Sequence, residues 1–469
     1  MFSTVELPGS IPIHLLYEDE VEAWRSAQSD GARNWLKVVG FKGERHKLAL
    51  LPTATGGLQA VAVGLGRRMG TDDLSLWHGA ALPDRLPDGA FHLATRLGRR
   101  SASQFALGWA YGQYHFARYK HVTPGVAASV APRELRLRLP AEVDLAEIER
   151  LRAATTLSRD LINTPANDMT PAALGDAIAE VAKRFNATCR KYVGDELLAH
   201  RFPAVHAVGR GSSVAPRLID FEWGNPDHPR VTLVGKGVCF DTGGLDIKPS
   251  PSMLLMKKDM GGAAVVLGLA QAIMDAALPV RLRVIIPAVE NSISAEAYRP
   301  SDVLATRKGL SVEVNNTDAE GRLILCDALT LADADQPELL IDMATLTGAA
   351  RVALGPEIPG LFSNDEKLAS DLVQTAHGES DPMWLLPLWA GYDDELSSKV
   401  ADMSNISSSG QAGAIIAGLF LKRFVTATRS WLHLDLYAWN SKDRPGRPVG
   451  GEPQCLRAVY AFLKARYAR

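Results

Sequence analysis

Two rhythms of apolar residues divide this chain. Over the first 140 residues, short apolar runs at 35–40 (WLKVVG), 48–52 (LALLP) and 60–64 (AVAVG) read as strands. The 101–120 stretch carries Phe105, Leu107, Ala110, Tyr114 and Phe116 at spacings that suit a helix. The 134–140 segment, ELRLRLP, alternates strictly and predicts a strand ended by Pro140. Between these, 122–132 holds two prolines and a glycine and predicts a loop. A helix is expected over 145–161, with Leu145, Ile148, Leu151 and Leu157 on one stripe, stopping ahead of Pro165. It serves as a connector, which divides the chain into an N-terminal domain (1–140), a connecting helix (141–165) and a second domain (166–469).

Beyond the connector the pattern alternates. Strands are expected at 230–235, 282–287 and 338–344, with helices at 262–277 and 322–334. Strands this apolar, alternating with helices, predict an α/β fold whose central sheet is mostly parallel and covered on both faces. Ligands of such sheets sit beyond the carboxyl ends of the strands, so the loops there are where chemistry is expected.

Composition narrows the class. With 46% hydrophobic and 22% charged residues the chain is an ordinary globular one. Its 51 basic and 53 acidic side chains leave no whole-chain electrostatic footprint for nucleic acid or anionic membranes. The four cysteines, Cys189, Cys239, Cys326 and Cys455, lie dozens of residues apart with no C-x-x-C pair, which argues for reduced thiols and against a zinc cluster. The opening MFSTVELP has no signal-peptide pattern, and the most apolar long segment, 260–278, is broken by Gln271 and Asp275. A soluble, cytoplasmic protein is expected, with no membrane partner.

Three segments near the strand ends concentrate charge. GKGVCFDTGGLDIKP (235–249) supplies Lys236, Asp241, Asp246 and Lys248; MKKDMGG (256–262) supplies Asp259; NNTDAEGRL (315–323) supplies Asp318, Glu320 and Arg322. If the last segment is extended, Asp318, Glu320 and Arg322 line one face, and Gly321 lets the backbone bend or approach closely. Carboxylates cannot share a small, partly buried volume without positive compensation. Divalent cations supply it, and four carboxylates can bridge two metals about 3.5–4 Å apart, a site that generates hydroxide at neutral pH. Lys236 and Lys248 could then act as a ligand or as donors to an oxyanion. The plainer readings weigh about equally: Arg322 is the ion-pair partner of the two acids, Lys257 and Lys258 are a solvated face, and Asp246 caps a turn. The G-K-G after a strand lacks the remainder of a P-loop.

The octapeptide NTDAEGRL (316–323) shifts that balance, because it matches the signature of the leucine aminopeptidase (cytosol aminopeptidase) family. Gly235, Lys236, Gly237, Phe240, Asp241, Gly243, Gly244, Ile247 and Lys248 also fit that family's pattern, as do MKKDMGGAA (256–264), DMATLTGA (342–349), ADMSN (401–405) and WLHLD (431–435). The resemblance covers roughly 145–465 well and is weaker before it; Cys239, where the family usually has threonine, departs from the pattern as a packing change.

The resemblance implies that Lys236, Asp241, Asp259, Asp318 and Glu320 bind two divalent metals, Mn²⁺ or Zn²⁺. Lys248 and Arg322 would be the catalytic side chains, with Arg322 holding bicarbonate as general base. Met256, Thr345 and Gly348 fall where the family lines its substrate pocket, although a core role for Met256 is nearly as good a reading. A lysine ligates metal only as the neutral amine, so a protonated Lys236 would instead be a counter-charge. The expected activity is removal of N-terminal, leucine-like residues from peptides. A macro-domain-like N-terminal α/β unit and a homohexamer are implied as well. Two other readings stand beside it: a dinuclear hydrolase of another bond such as a phosphoester, and a DNA-binding regulatory or recombination accessory protein.

Overall fold

A first sheet collects the alternating segments of the N-terminal part. The computed structural model describes residues 1–68, 74–120 and 134–468, so the loop expected over 122–132 lies outside the described residues. The strands are β1 (Phe2–Ser3), β2 (Ile11–Tyr17), β3 (Leu48–Pro52), β4 (Leu58–Gly66), β5 (Gly89–Leu93) and β6 (Leu135–Arg138), in the order β1-β6-β5-β2-β4-β3. All pair in parallel except β3 with β4. Strand β6 realises the alternation of its sequence, with Leu135 and Leu137 buried and Arg136 exposed.

One expected strand is a helix. The 35–40 run falls in the helix Asp30–Val38, because Ser29 caps the first turn by accepting from the Ala32 amide. Acidic Asp30 opens that helix and Lys37 closes it, both favourable to its dipole. Ala32 and Leu36, four apart, are the residues buried, while Val38 is 80% exposed. The apolar run is one helical stripe interrupted by surface residues. The helix expected over 101–120 is shorter, Arg99–Tyr111, and gives way at Gly112.

The chain divides into two compact units, Met1–Arg152 with Lys442–Pro448, and Ala153–Ser441 with Val449–Arg469. The helix expected over 145–161 runs from Leu145 to Asn163, just ahead of Pro165.

The second unit holds β7 (Thr188–Val193), β8 (Arg217–Trp223), β9 (Arg230–Gly235), β10 (Gly237–Asp241), β11 (Arg281–Asn291), β12 (Val303–Ala305), β13 (Ser311–Glu313), β14 (Leu339–Ala344), β15 (Gly360–Ser363), β16 (Trp384–Leu385), β17 (Met403–Ser404) and β18 (Trp431–Asp435). The main sheet runs β16-β15-β18-β14-β9-β11-β8-β7, with β10 also on β11. Its centre is parallel (β18, β14, β9, β11) and turns antiparallel toward both edges, at β15 and at β8. Every residue of β14 and β18 is buried, as expected of strands covered on both faces. The helix Gly261–Asp275, also almost wholly buried, packs on that centre, and Glu320–Asp333 packs there too. Strands β12, β13 and β17 make a small separate sheet. No helix among the described residues is long and apolar enough to cross a membrane.

Candidate metal centre and active site

The carboxyl ends of the central strands converge on one cavity of about 390 Å³. Strand β9 delivers Lys236, and β10 delivers Asp241 at its last position. A 3₁₀ turn, Met256–Met260, places Asp259 ahead of the long helix. The end of β14 leads into Thr345 and Gly348, and the segment after β13 brings Asp318 and Glu320. Every residue expected in the site lines this cavity (Lys236, Asp241, Lys248, Met256, Asp259, Asp318, Glu320, Thr345 and Gly348) except Arg322.

The 318–322 segment is not extended. Asp318 lies in a turn and Glu320 begins the helix Glu320–Asp333, so the two acids reach the cavity by a change of direction and not by strand alternation. Arg322, two residues further along that helix, makes no ion pair with either acid. Its Nη1 donates to the Asn405 carbonyl at 2.6 Å, and its buried Nε has no hydrogen-bond partner among the described residues. Burial pulls this guanidinium down to about 10.

Two lysines interleave with the acids. Lys236 Nζ is 2.8 Å from Asp259 Oδ2 and from Glu320 Oε1, and donates to the Thr345 carbonyl at 2.8 Å. Lys248 Nζ is 2.9 Å from Asp241 Oδ2 and also contacts Asp318 Oδ1. Burial alone would lower both ammonium groups, but the surrounding carboxylates outweigh it and hold them protonated well above the usual lysine range. Burial and the charge of Asp241 push Asp318 up to about 6 and Glu320 up to about 8.

Supporting contacts fix the acids. Asp241 Oδ1 accepts from the Gly243 amide and from Asn291 Nδ2, each at 2.8 Å. Thr345 Oγ1 donates to Asp259 Oδ1 at 2.8 Å. Asp246 does not merely cap its own turn: its Oδ2 accepts from the Thr317 amide at 2.7 Å and locks the two acidic loops together. Gly243 and Gly244 have φ of +90° and +66°, and a Cβ at Gly244 would lie 2.8 Å from Thr317 Oγ1, so this crossing requires glycine.

The residues suit divalent cations. One oxygen from each of Asp241, Asp259 and Glu320 lies within 4.8 Å of the others. Asp259 Oδ2, Glu320 Oε1 and Asp318 Oδ1 are buried in ion pairs with these lysines and accept no other hydrogen bond among the described residues. Hard oxygen donors crowded in this way are what Mg²⁺, Mn²⁺ or Zn²⁺ take.

Among the cavity residues that sequence reasoning missed are Lys258, Arg351 and Tyr437. Lys258, expected on a solvated face, is only 5% exposed and stands over the Tyr437 ring at 4.8 Å. Burial lowers its ammonium to about 8. Arg351 approaches the same ring at 4.9 Å, and Tyr437 itself follows the WLHLD block. The dipeptide Lys257-Lys258 gave no sign that its members diverge: Lys257 turns away to the Asn163 carbonyl at 2.7 Å. Cys239, buried in β10, directs its Sγ to the Gly237 carbonyl at 3.9 Å.

Residues 156–458 match the catalytic domain of the cytosol aminopeptidase family, and 11–132 match the M17 aminopeptidase N-terminal domain. A probable cytosol aminopeptidase of Geobacter sp. (strain M21) is 40% identical, over 78% of this chain and 76% of that protein. The crystal structure of the cytosol aminopeptidase from Coxiella burnetii superposes with a TM-score of 0.93 at 44% identity, covering 99% of each chain. The bottromycin maturation enzyme BotP, in complex with Mn, gives 0.85 at 32% identity over 97% of this chain and 99% of that one. These likenesses favour the peptidase reading over a phosphoesterase or a DNA-binding protein. With both domain models matched, the catalytic one over more than half its length, the chain belongs to the cytosol aminopeptidase family.

Proposed function

We propose that this aminopeptidase holds two divalent cations on Lys236, Asp241, Asp259, Asp318 and Glu320, with Lys248 and Arg322 as its catalytic side chains. The observation that carries the reading is the convergence of three buried carboxylate oxygens within 4.8 Å. Bound there, the cations supply Lewis-acid polarisation and a nucleophile available at neutral pH. Manganese is favoured by its presence in the BotP structure, with zinc as the other choice.

The chain's own residues do the rest. Lys248 presents a protonated amine to the oxyanion that develops on the scissile carbonyl. Arg322, whose buried Nε has no hydrogen-bond partner among the described residues, suits a small anion such as bicarbonate. Lys236 must surrender its proton to become a ligand, so cation binding releases protons. Met256, Thr345 and Gly348 receive the side chain of the N-terminal residue, leucine-like on the family resemblance. Residues 166–469 would form the catalytic domain, joined by 141–165 to the N-terminal domain 1–140. The family resemblance also supports a homohexamer, and the relatives' names support a cytoplasmic location.

The test is hydrolysis of leucine p-nitroanilide after chelation and after restoring Mn²⁺, Zn²⁺ or Mg²⁺, beside N-acetyl-leucine p-nitroanilide and p-nitrophenyl phosphate. Activity on the free-amine substrate alone, lost with chelator and regained with metal, supports the proposal. Equal cleavage of the acetylated compound, or turnover of the phosphoester only, overturns it.

A further inference from the structure

Four cationic side chains line the cavity, and only two of them have acids among the described residues. Lys236 and Lys248 each contact two carboxylates. Lys258 and Arg351 contact none among the described residues. The charged ends of both stand over one ring, Tyr437, at 4.8 Å and 4.9 Å. The acids near enough to feel Lys258 are already engaged. Asp259 faces Lys236, while Asp435 accepts from the Leu346 and Thr347 amides and from Thr347 Oγ1 at 2.6 Å.

A ring face is poor compensation for an ammonium that is 95% withdrawn from water. Cation–π attraction is weaker than the hydration and ion pairing a buried charge forgoes. Placing a second cation, Arg351, against the same ring adds repulsion. Such an arrangement is stable in company with an anion, and both side chains open into the cavity that also holds Met256 and Gly348. Because the cavity takes the peptide, the anion belongs to the substrate.

We propose that Lys258 and Arg351, gathered about Tyr437, form a subsite for a carboxylate of the peptide substrate. The proposal rests on the aminopeptidase reading and deepens it: preferred substrates carry an acidic group close to the scissile bond. Two groups have that chemistry, the side chain of an N-terminal glutamate or aspartate and the terminal carboxylate of a dipeptide. Arg351 is exposed, at the mouth, and Lys258 is buried, deeper in, so a carboxylate between them meets one donor from each side.

The experiment measures kcat/KM of the Mn²⁺-loaded enzyme on two matched pairs. Glutamyl against glutaminyl p-nitroanilide reports on the side chain, and Leu-Leu against Leu-Leu amide reports on the terminus. In wild type, one carboxylate member is expected to exceed its neutral partner. Lys258→Met and Arg351→Gln are each expected to lower that ratio by about tenfold, whatever happens to the common rate. Arg351→Gln changes an exposed side chain and keeps the test intact if Lys258→Met does not fold. The pair that responds identifies the source of the carboxylate. Ratios unchanged in both variants, or losses equal on all four substrates, overturn the subsite. Absence of turnover of every substrate by wild type overturns the aminopeptidase reading itself, and the subsite with it.

Discussion

Gly321 sits in the first turn of the helix Glu320–Asp333, against the side chain of Lys236. An added Cβ would lie 2.5 Å from Lys236 Cε, 2.7 Å from Nζ and 2.8 Å from Cδ, where ordinary contact begins at 3.4 Å. In Gly321→Ala the lysine must therefore retreat by about 0.9 Å, the difference between the ordinary and the imposed distance. It has little room, because Nζ is fixed by Asp259, Glu320 and the Thr345 carbonyl. Stability should change little: overpacking costs about 1–3 kcal/mol, and replacing glycine in a helix returns up to about 1 kcal/mol. Function should change much more, since a misplacement of about 1 Å at a reacting centre costs on the order of a hundredfold. The assay is kcat/KM for leucine p-nitroanilide with Mn²⁺, together with metal stoichiometry after dialysis and the melting temperature. Gly31→Ala, at a helical glycine whose Cβ would meet nothing within 4 Å, is the control. A Gly321→Ala protein with wild-type turnover and metal content would refute the claim that Lys236 belongs to the centre and is held there by this close approach.

Lys236→Met is expected to lower metal occupancy at equilibrium dialysis, and full occupancy would reject the ligand role. Asp327→Ala removes the acceptor of the Ala204, Val205 and Arg307 amides, at 2.8, 3.3 and 2.7 Å. Orphaned buried donors cost about 1–3 kcal/mol each, so urea unfolding should show a loss of about 3 kcal/mol or more, and a loss under 1 kcal/mol would contradict it. His433 is fully buried, and although burial alone would lower its imidazole, Asp342 at 2.6 Å raises it above 6.5. That pair's stabilisation is complete below pH 6.5 and fades as pH rises through the higher folded value. Unfolding free energy should fall above that pH in wild type, and His433→Asn should flatten the slope.

The parts of the fold legible in the sequence are those whose residues face one kind of surroundings. Strands β9 and β14 and the helix Gly261–Asp275 are buried on every side, so continuous apolar runs announce them. The 35–40 run misled because two surface residues, Trp35 and Val38, imitate the apolar content of a strand, while the decisive signal was the cap at Ser29. In the site, the octapeptide and its companion loops marked the acids. Their spacing gave the wrong local geometry, since a turn at Asp318 followed by a helix also turns two acids toward one point. Lys258 was illegible because adjacent lysines in a 3₁₀ turn point apart, and which of them enters the cavity depends on Tyr437, far away in the chain.

Charge then limits which peptides the cavity accepts. With Lys236 deprotonated as a ligand, the cavity's four acids are outweighed by Lys248 and two divalent cations, which leaves an excess of about one positive charge. The excess falls where Lys258 and Arg351 already stand without acids. A cationic side chain on the N-terminal residue would enter a field of its own sign. Two like charges about 7 Å apart at an effective dielectric of about 20 repel by roughly 2 kcal/mol, which is near thirtyfold in kcat/KM. Lysyl and arginyl p-nitroanilides should therefore be cleaved about thirtyfold less efficiently than the leucyl compound by the Mn²⁺ enzyme. The deficit should shrink in Arg351→Gln and at high ionic strength, because Arg351 is the exposed member of the pair and the one salt can screen. Arginyl p-nitroanilide turned over as well as the leucyl substrate in low salt would mean that the surplus is neutralised within the protein, and the charge argument would fail.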